Sequence, residues 1–344
     1  MQGTTVLITI KLEEAMLERT RERRLSAFFL ALSVCVLGFS HAGRAADVTV
    51  PGSNDFPESL TASADGSLFF SSMAGGRIFR AAPGEGRAVE WVKQGSNGLS
   101  SILGVLADDK SNNLYACSDD MTWAGIAIPT GNTPTALKIF DLKTGAAKGS
   151  VGFPSTGSSS LCNDIAIGSD GTVYVTDSLG GRILRLKPGA EAFEIWAQDD
   201  RWSVAGPQLD GIAVLPDGSV YANIFQGDGL YRIAVNADGS AGAITKLQTS
   251  RPLFHADGLR AFGPNKLLMV EGETKGTLDL ITIRGETAQV DTIKGGFEGP
   301  VSVTQVGDTA YVLDVPLKYL FDAEAKKSAP PPFRAVAVKL AQGG

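Results

Sequence analysis

The sequence predicts an all-β chain, a six-bladed β-propeller with four-stranded blades whose ring is closed by pairing of the N- and C-terminal strands. Three observations carry that expectation. Met73–Gly84 returns as Ser178–Gly189, and Arg77/Arg182, Pro83/Pro188 and Trp91/Trp196 are each 105 residues apart. A shorter unit divides that interval: an apolar strand, an Asp-Gly turn and a strand carrying an aromatic residue. It is seen at Ser59–Phe69, Asp164–Tyr174 and Gly211–Tyr221, with looser copies beginning at Gly104, Asp257 and Pro300. Finally, the last copy lacks a fourth strand while the N-terminal side has one to spare.

Each element follows from local chemistry. Asp-Gly between alternating apolar runs is a hairpin signal, because the turn needs positive φ. Third strands are expected at Ile78–Ala81, Ala136–Leu142, Ile183–Lys187, Leu230–Val235 and Leu278–Arg284, and fourth strands such as Ala88–Val92 and Glu194–Ala197. Four short strands repeated every ~40–50 residues describe a propeller blade. In the sixth copy the proline-rich break Ala329–Pro332 precedes one final strand, Phe333–Leu340. Val48–Pro51 is expected to fill the vacant place, which removes the exposed edge of an open ring.

The 344 residues divide into an N-terminal extension with a signal peptide, 1–46, and a single propeller domain, 47–344. Arg19, Arg21, Arg23 and Arg24 precede an apolar run from Leu25 to Phe39 and small residues around Ala42–Ala46, the order of a secretory signal. The run is shorter than the ~20 residues of a spanning helix. A periplasmic or secreted protein without a membrane association after cleavage is therefore expected. Hydrophobic residues at 43% and charged residues at 20% suit a soluble core-forming domain. The net charge of −6 argues against nucleic acid and for a small-molecule partner. The chain is expected to act as a monomer. Loss of the signal removes Cys35 and leaves Cys117 and Cys162, either two buried thiols or one disulfide between adjacent blades.

The first strand of each blade lines the channel. Counting back 11 residues from the second-strand position gives Glu58, Gly104, Asn163, Asp210, Asp257 and Pro300. Glu58, Asn163, Asp210 and Asp257 are thus expected at one place. Oxygen ligands without His or Cys suit a hard divalent cation, most simply Ca²⁺, better than zinc. His255, the one histidine after export, is a candidate proton shuttle beside Asp257. The usual nucleophilic triads find no support in the chain. The Gly-Gly-Arg motifs at 75–77 and 180–182 read as hairpin turns. Asp119, Asp120 and Trp123 begin a long loop of the second blade.

Phe56-Pro-Glu-Ser59, Cys162-Asn-Asp-Ile165 with Asp170-Gly171, and Leu209-Asp-Gly-Ile212 with Asp217-Gly218 resemble the senescence-marker-protein, gluconolactonase and regucalcin-like family over residues 54–318. The resemblance implies a six-bladed propeller around a divalent metal, commonly calcium. It implies that Glu58, Asn163 and Asp210 are ligands and that Asp210 is also the general base. Related paraoxonase-type propellers imply Asp257 as a further ligand. The polar residues that the family's gluconolactonases supply from the second blade are replaced here by a Ser-Ile-Leu-Gly-Val run. The expected activity is metal-dependent hydrolysis of a small cyclic ester. Elimination of the streptogramin-lyase kind and a non-catalytic binding or scaffolding propeller are the alternatives.

Overall fold

The computed structural model describes residues 45–157, 159–203, 206, 208–272 and 276–341; the expected signal segment lies outside them. The described residues form six sheets around a channel, five of four strands and one of five, antiparallel but for one two-residue edge strand. Blade 1 runs through Leu60–Ala62, Leu68–Phe70, Ile78–Ala81 and Val89–Val92. Blades 2, 3, 4 and 5 begin with the inner strands Ser101–Asp108, Cys162–Ile167, Leu209–Val214 and Ala256–Ala261. Blade 5 carries an extra two-residue strand, Gln248–Thr249, parallel to its outer edge. Blade 6 has three strands of its own, Pro300–Val306, Thr309–Asp314 and Arg334–Lys339, and takes Val48–Thr49 as its fourth.

That closure has the register Val48↔Ala335 and Thr49↔Arg334. The same two-residue strand reaches blade 1, where Thr49 N donates to Gly86 O and Ala88 N to Thr49 O. Val48, Val50 and Phe333 are buried in one apolar cluster with Leu60, Phe70 and Leu313, so the seam is packed as well as hydrogen-bonded. Further clusters of this kind lie between successive sheets, which is how a ring of amphipathic sheets buries both faces of every blade.

The repeated Gly-Gly-Arg turns have a specific packing role. A Cβ on Gly75 would lie 1.9 Å from Asp55 Oδ1, and one on Gly180 would lie 2.4 Å from Asp177 Oδ2. The following glycines, Gly76 and Gly181, hold φ of 60° and 59°, and the arginines close on those carboxylates. Arg182 Nε donates to Asp177 Oδ2 at 2.8 Å with both side chains buried, and Arg77 Nε lies 3.1 Å from Asp55 Oδ1. Small turn, carboxylate and guanidinium therefore recur as one unit.

Cys117 and Cys162 are bonded, with Cα atoms 5.1 Å apart. The bridge joins the second strand of blade 2 to the first residue of blade 3's inner strand.

Candidate functional site

In blades 2 to 6, the pairing of the inner strand with the second strand slips by one residue near its start. The slips fall between Ile102 and Val105, Cys162 and Ile165, Leu209 and Ile212, Ala256 and Leu259, and Pro300 and Ser302. A bulge of this kind re-aims a side chain and ends pairing locally. Asn163, Asp210 and Asp257 are the first bulged residues of blades 3, 4 and 5, and Glu58 sits just ahead of blade 1's inner strand.

The bulges are pinned from the second strands. Glu58 N and Ser59 N donate to Ser71 Oγ, Asp164 N donates to Thr176 Oγ1, and Asn223 Nδ2 donates to Asp257 O. Thr176 Oγ1 also donates to Asp210 O at 2.8 Å. Ser71, Thr176 and Asn223 each lie two residues beyond the second-strand aromatic of their blade. Cys117 occupies that same place in blade 2, and its disulfide partner precedes Asn163. Glycine at the second bulged position lets neighbouring inner strands touch. A Cβ on Gly211 would lie 2.6 Å from Asp257 O, and one on Gly104 would lie 2.2 Å from Asn163 O.

Register revises two of the six channel positions. The second-strand residue pairs with a residue eight back in blades 1, 3, 4 and 5, nine back in blade 2 (Leu106↔Tyr115) and seven back in blade 6 (Thr304↔Tyr311). A fixed count of 11 therefore lands on Gly104 and Pro300, whereas the equivalents are Leu103 and Val301. The ring at this level reads Glu58, Leu103, Asn163, Asp210, Asp257, Val301.

Carboxylate oxygens of Glu58, Asp210 and Asp257 lie within 4.8 Å of one another, and all three residues are buried. Asn163 Nδ2 donates to Asp210 Oδ2 at 3.3 Å, which leaves its amide oxygen to face a further partner. His255 stands outside the carboxylate group; its ring lies against Phe225, centroids 5.1 Å apart, and its φ is 45°. Burial, and then repulsion from Asp210 and Asp164, pushes the Glu58 carboxyl well above the usual range. Asp257 is raised well above it by burial, then by Asp210 and Glu58. Asp210 is pushed up to about 7, by burial first and then by Asp164.

Two residues unsuspected from the sequence sit just below. Arg260 Nη1 donates to Asp164 Oδ2 at 2.6 Å, spanning from blade 5 to blade 3, and Ile212 N donates to the same oxygen at 3.1 Å. Arg260 faces Glu58 and Asp210 as a counter-charge but is already paired. Beyond it, at the end of the channel away from the acids, opens a cavity of about 420 Å³ lined by Leu106, Ile165, Ile212 and Lys110 among others. Their signal was position alone: Asp164 follows Asn163, and Arg260 is three residues past Asp257 on the same strand.

Asp257 Oδ1 is buried without a hydrogen-bond partner. An orphaned carboxylate oxygen beside two more carboxylates is the donor set a hard cation fills, since such cations bind 6–8 oxygens at 2.3–2.6 Å and oxygens of one shell lie no more than about 5 Å apart. The residues present fit a divalent cation.

Solved structures resemble this ring as a whole. The chain superposes on a gluconolactonase from Xanthomonas campestris with a TM-score of 0.56 at 16% identity, covering 76% of this chain and 84% of that one. The likeness is one of fold. A luciferin-regenerating enzyme gives 0.60 at 14% identity, covering 88% and 96%. The virginiamycin B lyase of Staphylococcus aureus gives 0.54 at 15% identity, covering 78% and 80%. The expected resemblance to gluconolactonase-type propellers is thus borne out at the level of architecture. No family model matches the chain. A curated relative, the glutamate 5-kinase of Vibrio parahaemolyticus, is 31% identical over 104 residues, 29% of this chain; the chain spans about a quarter (26%) of that protein's length.

Proposed function

We propose that the chain is a hydrolase of the lactonase kind, acting on a small cyclic ester at a divalent-cation site held by Glu58, Asn163, Asp210 and Asp257. One observation carries the reading: three carboxylates from blades 1, 4 and 5 meet within 4.8 Å in a buried place where an unpartnered oxygen remains. When bound, the cation, Ca²⁺ by the oxygen chemistry of the site, supplies Lewis-acid polarisation of an ester carbonyl.

The protein's own residues supply the proton chemistry. Asp210, whose carboxyl is raised to about 7 by burial in the cation-free site, would be held ionised by a bound cation and so serves as the base near neutrality. It takes a proton from water as the water oxygen adds to the acyl carbon. The ring C–O bond then breaks, and the proton on Asp210 passes to the departing ring oxygen, so that a hydroxy acid results. His255, two residues before Asp257, exchanges the acid's proton with solvent. The Cys117–Cys162 disulfide supports placing this chemistry in a periplasmic or secreted protein.

The test is metal analysis of the purified protein followed by a lactone panel with and without chelator. Turnover should be lost on chelation and regained with Ca²⁺, and product mass should show the gain of one water. Asp210→Asn should retain much of the cation yet lose most turnover, because an amide offers an oxygen but takes no proton. Product of unchanged mass would establish elimination instead, and full turnover by chelated protein would defeat the proposal.

A further inference from the structure

We propose that the cyclic ester this site takes carries an alkyl substituent, and that the chain lies against Leu103 and the apolar cap above it; this inference rests on the lactonase reading. The ring of channel positions is two-sided. Asn163, Asp210 and Asp257 occupy one side, whereas Glu58 is flanked by Leu103 and Val301.

The apolar side continues upward. Leu103 packs with Met73, Met121, Ile126, Ile128 and Leu161, none more than 4% exposed, on the face where chains enter the inner strands. Leu317 and Leu320, on and beside the one-turn helix Lys318–Phe321, pack against both this cluster and the one holding Val301. Blades 6, 1, 2 and 3 thus contribute to one apolar wall that includes Leu103 and Val301. Hydroxyls of a polyhydroxylated lactone pressed there would give up water without a replacement partner, a cost an alkyl chain does not meet. Specificity for hydrogen-bonded hydroxyls needs placed polar groups, and the wall has none at Leu103 or Val301.

The cap is a self-contained segment. Ala124 N and Ile126 N both donate to Met121 O and Ile128 N donates to Asn132 Oδ1, so the segment Met121–Asn132 is tied to itself. Met121, Ile126 and Ile128 are its apolar attachment to the ring. Met73 and Met121, unbranched and polarizable, re-pack around an inserted chain at small cost. Trp123, 56% exposed on the same segment, is a natural reporter of that re-packing.

The experiment compares γ-butyrolactone, γ-hexalactone, γ-octalactone and D-glucono-δ-lactone on the calcium-loaded full chain. It reads kcat/KM and, separately, calorimetric binding with Trp123 fluorescence. We expect kcat/KM to rise about three- to fourfold per added methylene, the burial value of one CH₂, with glucono-δ-lactone the poorest. Leu103→Asn and Met121→Thr should each flatten the slope; the second guards against a folding defect in the first. A slope that is flat in the wild type, or a preference for glucono-δ-lactone, overturns the inference while leaving the lactonase reading intact. Failure of every lactone to turn over, with γ-octalactone still binding and shifting Trp123 emission, sinks the hydrolase but keeps the apolar subsite. Absence of both turnover and γ-octalactone binding overturns the inference.

Discussion

Chelated protein should lose stability as pH rises from about 4 to 8, and Asp210→Asn should remove a defined part of that loss. Asp210 has an ordinary value of 3.8 and is raised to about 7 in the fold. Below the ordinary value the carboxyl is protonated whether the chain is folded or not, and stability is full. Between the two values the unfolded chain ionises while the folded chain holds its proton, so stability falls until pH passes the folded value. A shift of about three units corresponds to about 4 kcal/mol at full ionisation. For the roughly 300-residue unit Ala45–Gly344, an unfolding entropy of ~2.1 cal/mol/K per residue converts this to a Tm change of about 6 °C. Glu58 and Asp257, raised by the same burial and repulsion, add to the slope in the same sense. Scanning calorimetry of wild type and variant in chelator, from pH 4 to 8, measures the difference. The wild type should fall about 6 °C further than Asp210→Asn, and millimolar Ca²⁺ at pH 8 should restore it. Parallel curves for the two proteins, or a wild-type Tm that is flat across the range, would refute the electrostatic account of the site.

Three further outcomes follow from the packing. Replacing Cys117 and Cys162 by alanine removes a link across 45 residues, worth about 4 kcal/mol in urea unfolding by the chain-entropy account; it should also weaken Ca²⁺ binding, since Cys162 adjoins Asn163, and an unchanged midpoint would count against the first claim. Gly104→Ala sets a Cβ 2.2 Å from Asn163 O and should cost about 1–3 kcal/mol together with cation affinity, whereas Gly152→Ala, which meets nothing within 4 Å, should cost neither. Asp177→Ala strands the buried Arg182 and should cost about 3–5 kcal/mol, read by thermal unfolding; the double variant with Arg182→Leu should recover part of it, and equal losses in single and double variants would show that the pair is not coupled.

The architecture was legible because a propeller repeats its chemistry. The 105-residue offset and the Asp-Gly hairpins located the blades, and the surplus strand Val48–Pro51 pointed to its partner, which the pairing with Arg334–Lys339 bears out. Glu58, Asn163, Asp210 and Asp257 could be listed together because equivalent positions in a closed ring must face one another. Counting failed where hairpin length varied, so Gly104 and Pro300 stood in for Leu103 and Val301. Arg260 and Asp164 escaped because a cross-channel contact between blades 5 and 3 leaves no local pattern. Ser71, Thr176 and Asn223 did have a signal, a shared offset of two residues from the aromatic of each second strand, but they differ in residue type and share only the capacity to hydrogen-bond.

The seam between Val48–Thr49 and Arg334–Lys339 also sets an order of events during synthesis. Val48 and Ala335 are paired although almost the whole propeller lies between them. The ring can close only after Arg334–Lys339 has been made, because that strand receives the first segment. Until Val48–Thr49 docks there, the outer edge of blade 6 offers unpaired amides and carbonyls to any neighbouring chain. A nascent chain crowded with its copies could exchange this strand and become a swapped dimer, with every blade native and only the closing strand borrowed.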